Sequence, residues 1–142
     1  MNRILVAAGL LGIAGTMATA LPAFAGKEER EYLKNEVMPA VKAAETKFKA
    51  SCGCALAITV DEKTVKSKDD MYPIKHIAEA ITEGAPGYCT DAASKKAVCQ
   101  MKSLTLAIAP EATFTFKSGH GVATAAGLSH CSWEMMTQEL DK

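Results

Sequence analysis

Five cysteines constrain what this chain can fold into more than any other feature of its sequence. They stand at positions 52, 54, 89, 99 and 131 of 142 residues. In an oxidising compartment, cysteines at this density form disulfides that hold a small domain together. In a reducing compartment, they are instead candidates for metal ligands or reactive thiols. The fold and the function therefore depend first on the compartment.

The N-terminal sequence, residues 1–25, is typical of a secretory signal peptide. Arg3 stands in a short basic start, an apolar run follows, and Ala23 and Ala25 form a small-x-small cleavage site. We expect cleavage after Ala25 and export to the periplasm or the cell exterior. Because glycines interrupt the apolar run and a charged segment follows it, we expect no stable membrane anchor.

The remaining residues, 26–142, are of a size that usually forms one domain, and the charge is balanced. The chain has 16 basic and 16 acidic residues and a formal net charge of 0. Such a balance argues against nucleic acid as a partner, because nucleic-acid-binding surfaces are strongly basic. We predict a single α+β domain that needs disulfides to supplement a modest core.

Hydrophobic spacing predicts the helices. Apolar residues three or four positions apart indicate a helix from Lys27 to Ala50, with a kink near Pro39 and an end at Gly53. A second helix is predicted from Pro73 to Glu83, with Gly84 as its stop, and the segment SWEMMTQEL offers a closing helix.

Alternating apolar residues predict the strands. The first is CALAITV, which ends at Val60, and SLTLAIA and TFTF follow, joined by a turn at Pro110-Glu111-Ala112 into an antiparallel hairpin. A short strand is also expected in VATAAGLSHC. We therefore predict a small antiparallel sheet of about three to four strands packed against two to three helices and held by disulfides.

The spacing of the cysteines suggests a pairing. Cys89 and Cys99 bracket a polar loop and a short helix, so we predict a bond between them. A bond across the single glycine between Cys52 and Cys54 would be strained. We therefore predict that Cys131 bonds one of these two, with Cys52 preferred, and that the other remains a buried thiol.

Two alternative uses of the cysteines involve chemistry. Thiolate and imidazole ligands suit copper(I) or zinc, and the candidate ligands come from three separate segments. A thiol-dependent enzyme would instead rely on Cys131, because a helix start and the neighbouring His130 both favour a thiolate. The candidate metal ligands are Cys52, Cys54, Cys131, His130 and His120.

Three further residues have structural interpretations. We interpret His76 as a solvated or partly buried helix residue, His120 as part of a glycine-flanked turn, and Trp133 as a core anchor. No acid-base constellation is visible. The sequence thus favours an exported, disulfide-stabilised binding module that acts on a macromolecular partner or a small ligand without catalysis or a cofactor. A periplasmic copper- or zinc-binding protein is the alternative, and an exported thiol-dependent enzyme is the third hypothesis.

Overall fold

A computed structural model describes residues 26–142 of the chain. The predicted signal peptide, residues 1–25, lies outside the described residues. Among the helices of residues 26–142, none is both long enough and apolar enough to cross a membrane. The helices are α1 (Lys27–Tyr32), α2 (Met38–Cys52), α3 (Lys68–Tyr88), α4 (Ala92–Val98) and α5 (Trp133–Leu140). The strands are β1 (Ala57–Val60), β2 (Ser103–Ile108), β3 (Phe114–Lys117), β4 (His120–Ala126) and β5 (Ser129–His130).

Helices α1 and α2 are joined by one π-helical segment, Leu33–Val37, immediately before Pro39. The Met38 amide donates to the Leu33 carbonyl five residues back, so the widened turn comes where proline interrupts the regular hydrogen bonding. Helix α2 then ends at Gly53, whose φ of 82° places it in the left-handed region. Both the predicted interruption near Pro39 and the predicted end at Gly53 are confirmed.

Helix α3 is longer than predicted and continues past Gly84 to Tyr88. Gly84 has a packing role, because a Cβ at this position would lie 2.3 Å from Cγ of Trp133. The glycine therefore lets the indole of α5 approach the backbone of α3. The predicted stop at Gly84 was wrong because a glycine in a helical pattern can mark a close approach as well as an end.

The sheet is mixed, with the strand order β1-β2-β4-β3. Strands β1, β2 and β4 are parallel, whereas β3 and β5 each pair with β4 in the antiparallel sense. The α+β class is confirmed, but the predicted hairpin of β2 and β3 is wrong because β4 lies between them. Helix α3 connects β1 to β2, and a connection of this length permits parallel pairing.

One face of the sheet packs against the helices and the other is open. Ile58, Leu104 and Leu106 are buried on the helix-facing side. Thr59 lies beside Thr105 on the open side, within a row of short side chains that crosses the sheet. The fold is therefore a two-layer arrangement with one principal core. Its largest fully buried side chains are Phe48, Met71, Ile74, Ile77, Ile81, Met101, Leu104, Leu106 and Met136.

Candidate functional site: the pocket between α3 and the β4–β5 turn

The cysteines pair differently from the prediction. Cys52 is bonded to Cys89, and Cys54 is bonded to Cys99, with Cα separations of 5.1 and 5.9 Å. The predicted bonds from Cys89 to Cys99 and from Cys131 to Cys52 are therefore wrong. The polar segment between Cys89 and Cys99 is therefore linked at both ends to the end of α2 and the residues just after it, and its two cysteines are not bonded to each other.

The pairing follows from the direction of the helices. Near their starts, Lys75 of α3 forms an ion pair with Glu36, just before α2, with 3.0 Å between Nζ and Oε2. Near their ends, Cys52 and Cys89 are bonded. The two helices therefore run side by side in the same direction, which brings their C-terminal ends together. Local spacing in the sequence does not encode this relation.

The disulfides also bear on the metal hypothesis. Cys52 and Cys54 are oxidised, so they do not offer the thiolates that the copper or zinc set requires. His120 starts β4 on the open face of the sheet, where its ring contacts two side chains of β2. Its Nδ1 is 2.6 Å from Oγ of Ser103 and its Nε2 is 3.2 Å from Oγ1 of Thr105. Across residues 26–142, no group of three or more His, Cys, Asp or Glu could hold a metal ion.

Cys131 is the one free cysteine among the described residues, and it is fully buried. Its thiol lies 3.5 Å from the Ser132 carbonyl oxygen, to which it donates. Burial raises the pKa of the Cys131 thiol to about 12. The expectation of an activated thiolate is wrong, because desolvation dominates over any favourable effect of the helix start or of His130. Helix α5 is capped by Ser132, whose Oγ accepts a hydrogen bond from the Met135 amide.

A pocket of about 280 Å³ lies between the N-terminal part of α3 and the turn that joins β4 to β5. Within residues 26–142, the two large apolar side chains that are exposed are both here: Tyr72 is 42% exposed and Leu128 is 102% exposed. Exposed apolar side chains that lie together mark interaction sites more often than singly scattered ones do. The pocket is lined by Asp69, Tyr72, Pro73, His76, Gly127 and Leu128.

A histidine pair stands beside this pocket. The rings of His76 on α3 and His130 on β5 have centroids 5.5 Å apart. His76 Nε2 is also 4.0 Å from Oε2 of Glu79. His76 is an exposed residue of α3, in agreement with its interpretation from the sequence, and its ring also lies near His130 of β5. Sequence reasoning missed this pair because 54 positions separate its members and no local pattern connects them.

Charge around the pocket is unevenly distributed. Lys68 lies 3.5 Å from Glu28, and Lys75 lies 3.0 Å from Glu36, so both cations are paired toward the first helical segments. The nearby carboxylates raise the pKa of each lysine. By contrast, the Asp69 carboxylate has no hydrogen-bond or ion-pair partner within residues 26–142. The pocket therefore presents an unpaired negative charge beside an aromatic ring.

A larger concavity of about 530 Å³ lies on the outer surface of α2 and α3. It is an open groove lined by alanine and threonine side chains and lysine stems, without an aromatic residue or converging polar groups. Binding sites usually combine apolar walls with a few placed polar groups. The smaller pocket at α3 meets this description and the groove does not. The groove is lined by Lys42, Ala43, Thr46, Lys47, Ala50 and Thr82.

Comparison with known proteins adds no relative to this picture. No family model matches the chain, and neither a curated protein nor a solved structure matches it. The site is therefore argued from its own geometry.

Proposed function

We propose that this protein is an exported, disulfide-stabilised binding domain that holds its ligand in the pocket between α3 and the β4–β5 turn and does not transform it. Two disulfides in a chain of this size are typical of proteins from oxidising compartments. This supports a periplasmic or extracellular location, as does the predicted signal peptide.

The observation that carries the binding function is the exposure of Tyr72 and Leu128 at one pocket. Folding leaves these apolar surfaces in water, although burying a leucine side chain stabilises a protein by about 2 kcal/mol. Asp69 and His76 also line this pocket and supply polar groups that can orient a ligand. Apolar walls with a small number of directed polar groups are what ligand pockets share.

The remaining features support binding without catalysis. The free thiol is buried and protonated, and the Ser103 and His120 pair uses both imidazole nitrogens in hydrogen bonds across the strands. Cross-strand pairs of this kind stabilise a sheet. The Cys131 thiol and the His120 imidazole are thus engaged in structure.

The binding proposal is tested by nuclear magnetic resonance on residues 26–142 with oxidised disulfides. Three probes of matched size are titrated: n-butylguanidinium, n-butylurea and n-hexanoate, which are cationic, neutral and anionic. We expect at least one probe to shift the amide signals of Tyr72, His76, Gly127 and Leu128 in a saturable way. Replacement of Tyr72 by Ala should abolish these shifts. If none of the three probes shifts these amides, the pocket is not a binding site.

Export is tested separately by expressing the full chain in a Gram-negative bacterium and fractionating the cells. We expect the protein in the periplasm or the medium, with a mass that matches residues 26–142 and four oxidised cysteines. Recovery of the full-length, fully reduced chain from the cytoplasm would contradict the export proposal while leaving the binding experiment intact.

A further inference from the structure

The charge at the pocket between α3 and the β4–β5 turn points to a class of ligand. We infer that the pocket takes an organic cation, a protonated amine or guanidinium carried on an apolar body. The inference rests on the proposed binding function and adds the sign of the charge and the size of the bound group.

The first step is the unpaired carboxylate. Asp69 lines the pocket without a partner among residues 26–142, although two lysines stand on the same helix. Lys68 and Lys75 each have a glutamate partner near α1, and so neither neutralises Asp69. A cation that enters the pocket would find an available counter-charge.

The second step is the aromatic wall. The ring of Tyr72 meets the ring of Tyr32 edge to face, with 5.0 Å between the centroids. Lys68 already lies over the ring of Tyr32, with Nζ 5.6 Å from its centroid. Aromatic faces attract cations through their quadrupole, and the Lys68 contact shows that this pair of rings accepts one. The exposed part of Tyr72 borders the pocket and offers a second such surface.

The third step is the apolar body of the ligand. Pro73 and the fully exposed Leu128 form apolar parts of the wall, so a bare inorganic cation would leave them in water. The volume of about 280 Å³ lies slightly below the range of about 300 to 1,000 Å³ for drug-sized ligands. A single amino-acid side chain or a small amine is of suitable size.

Two sources share this chemistry: a free organic cation, and a lysine or arginine side chain on a partner polypeptide. Leu128 lines the pocket and is fully exposed, so a residue next to the bound side chain could contact it. A peptide can therefore gain affinity at Leu128 that a free cation cannot. This difference separates the two sources by experiment.

The test compares n-butylguanidinium with its neutral isostere n-butylurea on the oxidised protein. The titrations are made at pH 8 and at low ionic strength, which limits the screening of charges. We expect n-butylguanidinium to bind about fivefold more tightly than n-butylurea, as one exposed ion pair allows. The variant D69N should reduce this preference to the part that the Tyr72 ring supplies and leave n-butylurea binding unchanged.

The matched control is E83Q. Glu83 is exposed on the same helix, about 21 Å from Asp69 along its axis at 1.5 Å per residue, and has no side-chain partner among the described residues. This variant should keep the preference for the cation. Thermal unfolding of D69N and E83Q checks that both variants fold, since Asp69 also lies in the first turn of α3.

The outcomes are separable. Equal binding of the cation and the urea at the pocket, or a preference that is undiminished in D69N, overturns the cation inference and leaves the binding function standing. Absence of binding by every probe overturns both.

A second titration uses the peptide acetyl-Leu-Arg-Leu-amide. If the peptide binds more tightly than n-butylguanidinium and loses this advantage in the variant Leu128→Ser, the cation belongs to a polypeptide. If the two bind equally, the ligand is a free amine or guanidine.

Discussion

The two ends of helix α3 are held in opposite ways. At the C-terminal end, Cys89 is bonded to Cys52, and the ring of Tyr88 packs edge-on against Trp133 with 5.8 Å between centroids. At the N-terminal end, no covalent link is present among the described residues, and Tyr72 is exposed at the pocket. A small domain can therefore leave apolar surface exposed at one end of a helix, because cross-links at the other end supply stability that this surface does not.

The largest expected effect comes from removing a bridge at the cross-linked end. Replacing Cys52 and Cys89 together by Ala should lower the free energy of unfolding by about 3 kcal/mol, because, with Cys54–Cys99 still bonded, this bond closes a ring of only about 12 residues in the unfolded chain. Urea denaturation measures this loss. A comparable loss is expected for Cys54 and Cys99, because the same small ring is opened while Cys52–Cys89 remains bonded.

The same variants also test whether the two ends are independent. In the absence of urea, n-butylguanidinium should still shift the amides of Tyr72 and Leu128 in the variant that lacks Cys52 and Cys89. Loss of these shifts in a variant that remains folded would show that the cross-link shapes the pocket, and would break the contrast between the ends.

Close packing at the cross-linked end predicts the next effect. A Cβ at Gly84 would lie within 2.8 Å of three ring atoms of Trp133, so the displacement forced by Gly84→Ala should cost about 2 to 3 kcal/mol, against a gain in helix propensity of about 1 kcal/mol. Urea denaturation should show net destabilisation. The matched control is Gly87→Ala in the same helix, where a Cβ meets nothing within 4 Å. This variant should be neutral or stabilised, and equal results for both would contradict the packing role of Gly84.

The sequence predicted local structure better than long-range pairing. The interruption near Pro39 and the helix end at Gly53 follow from the backbone properties of those two residues, so they could be read directly. The insertion of β4 between β2 and β3 could not, because alternation shows that a strand exists without naming its neighbour. The same limit explains the wrong disulfides, since Cys52 meets Cys89 only through the parallel packing of two helices.

The candidate site was not predictable for a related reason. Asp69, Tyr72 and His76 share one end of α3, but Leu128 joins them only through the turn after β4. Nothing in the segment around Leu128 indicates that a leucine there stays exposed. Exposure of an apolar residue is a property of the folded surface, and periodicity reports only which residues can be buried.

Burial of Cys131 predicts a pH effect of about 1 kcal/mol between pH 8 and 10. Its pKa is raised from 9.0 to about 12, so the unfolded chain loses this proton at a lower pH than the folded protein. The stabilisation is therefore complete below about pH 9 and lost as the pH rises toward 12. Urea denaturation across this range should show a smaller decline in Cys131→Ala than in the unaltered protein.

Tyr88 acts in the same direction, which makes the comparison with Cys131→Ala necessary. Burial and the hydrogen bond that its hydroxyl donates to Asp141 raise the pKa of Tyr88 to about 12. Tyr88→Phe isolates that contribution at the cross-linked end. Parallel pH profiles for the unaltered protein and Cys131→Ala would mean that the thiol ionises as readily in the folded state as in the unfolded one.

The smallest expected effect on stability is that of Leu128→Ser at the pocket end. Because its side chain is fully exposed, its removal uncovers no core and should change the free energy of unfolding by less than about 0.5 kcal/mol. Leu140→Ala is the contrast: this leucine is 4% exposed, and its truncation should cost about 2 to 5 kcal/mol. Urea denaturation of both variants measures the difference. A loss above about 1 kcal/mol in Leu128→Ser would show that the turn supports the fold, and the leucine would then no longer argue for a partner at this end of α3.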